Sequence, residues 1–242
     1  MTAIEIKGLT KKYKDTIAVN ELSLEINEGE LFSLLGVNGA GKTTLIKMLC
    51  GLLKSNGGNA FLMGKSILTD SEYIKSIIGI SPQETAVAEN LTVRENILFI
   101  CGVYGYDEKR SEEKLNELTE EFSLSEILDK KAGKLSGGWQ RRLSIALSLI
   151  GEPKILFLDE PTLGLDVIAR SELWDTILSL KNKVTIILTT HYMEEAEALS
   201  DRIGIMKKGK LIALGTAEDL KKSAKTERFE DAFIKLVKEA SI

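Results

Sequence analysis

Between residues 3 and 35 the apolar positions recur every second residue, the period of a strand with one buried face. Ile4 and Ile6 alternate with charged neighbours, and Leu22, Leu24 and Ile26 alternate again before an Asn-Glu-Gly-Glu turn. Residues 30–35 follow as a short apolar strand that stops at Gly36. Beyond the glycine the period changes. Over residues 42–53, Leu45, Met48 and Leu49 share one face of a helix. From about residue 85 to 150 the texture stays helical, with Leu115, Leu118 and Phe122 at helical spacing among many Glu and Lys. The fully apolar runs 155–158 (ILFL) and 184–188 (VTIIL) predict central parallel strands, buried on both faces. Residues 194–200 read as a helix, and 203–206 with 211–214 as a hairpin about a Lys-Lys-Gly-Lys turn. From Glu218 onward Phe229, Phe233 and Leu236 fall on one side of an amphipathic helical tail. The pattern is that of one α/β core, 1–83 and 151–217, interrupted by a helical insertion at 84–150 and closed by a tail at 218–242. No internal repeat is visible.

Composition narrows the classes. The 242 residues, 43% hydrophobic and 28% charged, are ordinary for a globular chain able to bury a large core. A net charge of −4 and short, scattered lysine clusters give no reason to expect a nucleic-acid partner. Cys50 and Cys101 sit among apolar residues without metal-ligand spacing and read as small buried hydrophobes. The N-terminus lacks the apolar stretch of a signal peptide. The longest apolar segments, 97–106 and 143–150, fall well short of the ~20 residues that span a bilayer. The expectation is a soluble chain whose membrane role, if it has one, comes through a partner.

Candidate chemistry lies where strands end. The segment GVNGAGKT (36–43) sits between a strand and a helix, where glycines let successive backbone N–H groups cradle phosphates. In that pattern Lys42 contacts the β and γ phosphates and the Thr43 hydroxyl binds Mg2+. A second glycine turn, Leu135-Ser136-Gly137-Gly138-Trp139-Gln140, also runs into an apolar-periodic helix. Unpaired N–H groups and the positive helix end attract an anion there too. The strand ILFL ends in Asp159 and Glu160, at the sheet edge where open α/β sheets bind ligands. Asp159 suits a water-mediated Mg2+ contact, and Glu160 a base for the attacking water. His191, the single histidine, follows VTIIL and Thr189-Thr190 at the same edge, placed to hydrogen-bond a γ-phosphate oxygen or to serve structurally. Gln83 lies where the core passes into the insertion, as a contact to Mg2+ or water or as a polar turn residue. Tyr13 reads equally as an adenine-stacking aromatic and as an ordinary edge-strand residue.

Together these residues resemble the nucleotide-binding domain of an ATP-binding-cassette (ABC) transporter over nearly the whole chain, with the motifs in the family's order. Tyr13 matches the adenine-stacking aromatic, 36–44 the Walker A loop and Gln83 the Q-loop. Residues 135–140 match the signature motif, 155–160 Walker B, Gly164-Leu165-Asp166 the D-loop, and His191 the switch histidine. The resemblance implies a RecA-like P-loop NTPase core with an antiparallel β subdomain and an inserted α-helical subdomain. It implies ATP bound by Tyr13, Gly36, Asn38, Gly39, Ala40, Gly41, Lys42, Thr43 and Thr44, and Mg2+ held by Thr43, Gln83 and Asp159. Glu160, His191, Gln83 and Lys42 would act in hydrolysis. A second ATP-binding domain, identical or paralogous, would sandwich two ATP molecules with the first. Ser136, Gly137, Gly138 and Gln140 would then serve the partner's ATP, with Asp166 at the seam. A separate transmembrane permease would hold the chain at the inner face of the membrane. The segment around His191 and the tail look most like the exporter branch. Around Gln83 and 95–106, Phe99, Ile100, Tyr104 and Tyr106 either receive a permease helix or form core. Trp139 departs from the pattern, since Gln, Glu or Lys is more usual there, and suggests altered packing. Two alternatives carry less of the sequence: a soluble ABC-type ATPase that remodels nucleic acid or a protein assembly, and a cassette that only binds.

Overall fold

The computed structural model describes residues 1–240; Ser241 and Ile242, the end of the 218–242 tail, lie outside the described residues. Two long antiparallel strands open the chain, β1 (Thr2–Tyr13) and β2 (Thr16–Asn27). Leu22, Leu24 and Ile26 are buried on β2 while Glu21, Ser23, Glu25 and Asn27 face water, as a period of two requires. β3 (Leu31–Leu35) leaves this pair for a second sheet, and a glycine loop carries it into α1 (Lys42–Leu49). The helix stops at Leu49 rather than at 53. Gly51 sits at φ 70, its N–H donates to Met48 O (3.0 Å), and the Leu52 N–H reaches Lys47 O (2.9 Å). This left-handed glycine cap satisfies two of the last carbonyls.

β4 (Gly57–Leu62) and β5 (Lys65–Ser66) return to the first sheet, whose order is β2-β1-β4-β5. α2 (Ser71–Ile77) then leads to β6 (Ile78–Ser81), an edge of the second sheet. The apolar periodicity does not announce these elements: Gly57-Gly58-Asn59 cannot alternate, and only Ala60 and Leu62 of β4 are buried. The stretch 85–150 is helical but divided into α3 (Val93–Val103), α4 (Glu108–Glu121) and α5 (Gly137–Ser148). A reciprocal cap starts α3, with Glu95 N–H donating to Thr92 Oγ1 (3.1 Å) and Thr92 N–H to Glu95 Oε2 (2.7 Å).

β7 (Ile155–Asp159), α6 (Val167–Ser179), β8 (Thr185–Thr190) and α7 (Met193–Leu199) restore the alternation of strand and helix. The hairpin of β9 (Arg202–Lys207) and β10 (Lys210–Gly215) follows, then α8 (Ala217–Ala224) and α9 (Phe229–Glu239). The second sheet runs β10-β9-β3-β8-β7-β6, parallel apart from the hairpin. α6 is unmarked in the sequence because only Leu173 and Ile177 of its residues are buried, too sparse a stripe to stand out. β3, β7 and β8 are buried throughout, which is why each reads as a mostly apolar run.

Alternate residues of those strands serve opposite layers. Ile155 and Phe157 join Phe32, Ile187 and the first sheet, while Leu156 and Leu158 join Leu31, Ile186, Leu188 and the helices α3 to α6. Leu35, Ile203 and Ile205 pack against Phe229 and Phe233 of α9. Each fully buried side chain of this size contributes ~1.5–3 kcal/mol of transfer free energy, and the second sheet supplies side chains to every one of these clusters. Among the described residues no helix is long and apolar enough to cross a membrane.

Candidate nucleotide site

The parallel register brings three strand ends to one edge. Leu35 lies level with Thr190, and Asp159 with Thr189. The glycine loop, the Asp159-Glu160 pair and His191 therefore leave the sheet side by side. In the loop, glycine is required by space as well as by dihedral angle. A Cβ on Gly36 would come within 2.5 Å of Met206 O, and one on Gly41, at φ 107, within 2.2 Å of Ala18 O.

Lys42 begins α1 with its side chain enclosed. Its ammonium donates to Gly36 O (2.7 Å) and pairs with Glu160 Oε1 (3.1 Å). The other oxygen, Glu160 Oε2, lies 2.5 Å from His191 Nδ1. One carboxylate thus bridges the loop lysine and the histidine. Asp159 Oδ1 accepts from the Thr43 hydroxyl (3.3 Å) and from the Thr189 hydroxyl (2.5 Å). Glu160 stands at φ 52, a left-handed conformation that costs ~1–3 kcal/mol for a non-glycine residue. Its N–H, shared between Thr189 O and Thr189 Oγ1 at 3.1 Å each, holds it there.

A cleft of about 510 Å3 opens over these groups. Tyr13, Asn38, Gly39, Ala40, Gly41, Lys42, Thr43, Thr44, Gln83, Glu160 and His191 all line it, with Ala18 and Leu163 besides. Gly36 and Asp159 lie behind the wall and reach it through Lys42 and Thr43. Tyr13 is half-exposed at the end of β1, with the Lys11 ammonium 5.2 Å from its ring centroid. The oxygen donors converging near Thr43 are one hydroxyl and one carboxylate, with the Gln83 amide on the same cleft. That set fits Mg2+, which takes oxygen ligands and keeps water and substrate phosphates in its remaining positions.

Ser136, Gly137 and Gly138 are not on this wall. They open α5, and Ser136 and Gly138 border a separate shallow groove against Ala169 and Leu173 of α6. Ser136 holds the N-cap position without turning its side chain to cap, which leaves the first N–H groups of α5 open to an external acceptor. Gln140 differs from its neighbours: its amide donates to Ala132 O (3.0 Å) and fastens the turn that precedes α5. Asp166 caps α6 by accepting from the N–H groups of Ile168 (3.0 Å) and Ala169 (2.9 Å), beside exposed Val167 and Ile168.

Trp139 packs at the junction of α5 and α6, with the Arg142 guanidinium 4.5 Å from its ring centroid. Tyr106 is half-buried against the helical core and donates to Ile150 O (2.8 Å). Ile100 and Tyr104, with Val103, Leu52 and Ile80, instead line an apolar groove of about 410 Å3, and Phe99 is exposed on the same helix as Ile100. Two contributors carried no sequence signal of their role. Thr189 was visible only as a strand-end hydroxyl. Arg141, on α5, donates to Pro82 O (2.8 Å) and to Gln83 O, and burial pushes its guanidinium below the ordinary value.

A parallel sheet whose glycine loop faces a strand ending in two carboxylates defines a RecA-like P-loop nucleotide-binding fold. The chain belongs to the ABC transporter family, whose model matches residues 19–163. It is 44% identical over 98% of its length to the probable multidrug ABC transporter ATP-binding protein YbhF of Escherichia coli (strain K12), of which it spans 42%. It is 40% identical over 91% of its length to the daunorubicin/doxorubicin resistance ATP-binding protein DrrA of Streptomyces peucetius, of which it spans 67%. A solved ATP-binding subunit of an ABC transporter superposes with a TM-score of 0.84 at 28% identity, covering 97% of this chain and 99% of that one.

Proposed function

We propose that this chain hydrolyses ATP for an ABC transporter of the exporter type, acting with a second cassette around two ATP molecules and driving a separate permease. The observation that carries the reading is the row Lys42–Glu160–His191 inside a cleft lined by the glycine loop. It offers a cation for the γ-phosphate, a carboxylate for water and an imidazole for a phosphate oxygen. The multidrug and drug-resistance names of YbhF and DrrA favour export.

Glu160 pairs with Lys42 across the cleft. A triphosphate in the loop brings its own charge to Lys42 and to the N–H groups of 38–44, and Tyr13 flanks the adenine. Glu160 Oε1 is then free to take a proton from water as the water oxygen attacks the γ-phosphorus. The bond from that phosphorus to the β–γ bridging oxygen breaks, and ADP leaves with the electron pair. His191, held through Nδ1, presents its other ring nitrogen to a γ-phosphate oxygen. Thr43, Asp159 and Gln83 would hold Mg2+, which when bound neutralises charge on the β and γ oxygens.

The open start of α5 lies outside the chain's own cleft, which supports Ser136, Gly137 and Gly138 as donors to a partner's ATP. Asp166, with exposed Val167 and Ile168 beside it, suits the seam. The apolar groove at Ile100 and Tyr104 suits a short permease helix, which would hold the chain at the inner face of the membrane. A soluble remodelling role draws no support from the relatives or from a net charge of −4. The test is turnover of Mg-ATP. Glu160→Gln should lower it by ~10²–10⁴ and accumulate an ATP-bound dimer on gel filtration. A variant that hydrolyses at the parental rate would remove the base from the scheme.

A further inference from the structure

Glu195, on α7, is a fully buried carboxylate that the proposed chemistry does not use. Its Oε1 accepts from the Thr162 hydroxyl (2.8 Å) and from the Trp174 indole N–H (3.1 Å). Its Oε2 is enclosed and has no partner in hydrogen-bonding geometry. Burial lifts the carboxyl above the usual carboxylate range, although its Thr162 and Trp174 donors and the nearby Thr190 hydroxyl pull the other way. An acid enclosed in the interior is costly to keep, which asks for a role other than stability.

Its partners supply one. Thr162 lies in the turn after Glu160, where Leu163 N–H donates to Glu160 O (3.1 Å) and Leu165 N–H to Thr162 O (3.1 Å). Trp174 stands on α6, the helix that Asp166 caps. Glu195 itself sits on the helix that follows His191. We propose that Glu195 is a positioning residue for hydrolysis, a hub whose carboxyl fixes the Glu160 turn, α6 and the His191 segment to one another. This rests on the hydrolytic reading above. Acting through Thr162, it sets where Glu160 points; it is fully buried and does not line the cleft.

Three variants separate this from a structural role: Glu195→Gln keeps the acceptor, Glu195→Leu removes it, and Thr162→Val cuts only the link to the Glu160 turn. Glu195→Gln should retain kcat within about threefold, the rescue expected of a conservative acceptor. Glu195→Leu and Thr162→Val should lower kcat about tenfold or more with KM for ATP within about threefold, because the glycine loop is untouched while the base is misplaced. Amide hydrogen exchange should quicken at 160–168 and 189–193 in those two variants and stay unchanged at 36–44. Parental kcat in a folded Thr162→Val, equal losses of affinity and turnover, or unchanged exchange at 160–168 would each overturn the proposal. A parental protein that does not turn over ATP sinks the hydrolytic reading instead, and the exchange pattern still decides whether Glu195 is the hub.

Discussion

Changing Glu160 to Gln leaves the Lys42 ammonium, 6% exposed and 3.1 Å from Oε1, without its counter-charge. At an effective dielectric of about 20, unit charges at that separation attract by roughly 5 kcal/mol. The amide still accepts a hydrogen bond and Gly36 O still holds the ammonium. The net loss should therefore be ~2–4 kcal/mol, at or below the cost of breaking a buried pair outright. For a chain of this size ~1 kcal/mol moves the unfolding midpoint about 2–4 °C, so the nucleotide-free variant should melt roughly 4–16 °C below the parent. ATP supplies the missing negative charge, so the deficit should shrink when ATP is present. The nucleotide-induced shift should accordingly be larger in the variant than in the parent. Lys42→Met should destabilise too, and the double variant by less than the sum, with a coupling of ~1–3 kcal/mol. Thermal unfolding of the four proteins with and without Mg-ATP measures all of this. A nucleotide-free Glu160→Gln midpoint within about 1 °C of the parent, or a coupling under ~0.5 kcal/mol, would show that the pair contributes no stability.

Other outcomes follow from different contacts. Ser136→Arg puts a long cation at the open start of α5, so ATP binding to the monomer should be unchanged while dimerisation and turnover are lost; a dimer on gel filtration would contradict this. Trp139→Ala removes the indole between α5 and α6 and its contact with Arg142, a loss of ~1.5–3 kcal/mol with ATP affinity unaltered, checked by urea unfolding and nucleotide titration. The Glu195 carboxyl, raised by burial and by the nearby charge of Glu160, gives the fold stability that is complete below the ordinary value of ~4.3 and is lost as pH rises through the raised value. Gln does not titrate. The midpoint of Glu195→Gln relative to the parent should therefore rise from about pH 4 toward neutrality, and a difference independent of pH would rule this out.

What the sequence discloses depends on whether the cause is local. β3, β7 and β8 are legible because strands buried on both faces are apolar over most of their length, with Ser33, Asp159, Thr185, Thr189 and Thr190 as the buried polar exceptions. The glycine loop is legible because its spacing alone sets a phosphate cradle. β4 is not, because half of it is glycine and polar residues kept in place by β1. α6 is not, because it buries only two side chains. Within the site, Asp159, Glu160 and His191 could be placed from the strands that precede them. The roles of Arg141 and Glu195 could not, since each is defined by a partner brought close only by folding. Gln140 looked like its neighbours, and only the position of Ala132 assigns its amide to the turn.

Arg141 also has a consequence for how two sites would communicate. It stands on the helix that begins at Ser136, yet it grips the carbonyls of Pro82 and of Gln83, a residue that lines the chain's own cleft. In the proposed dimer those two ends serve different ATP molecules. A displacement of Gln83 by one nucleotide would be carried along a rigid helix to the donors facing the other. Thermodynamic linkage makes such coupling reciprocal: whatever factor the first ATP imposes on the second, the second must impose on the first. The pair of sites would then respond as one cooperative unit, linked through a buried guanidinium in each protomer.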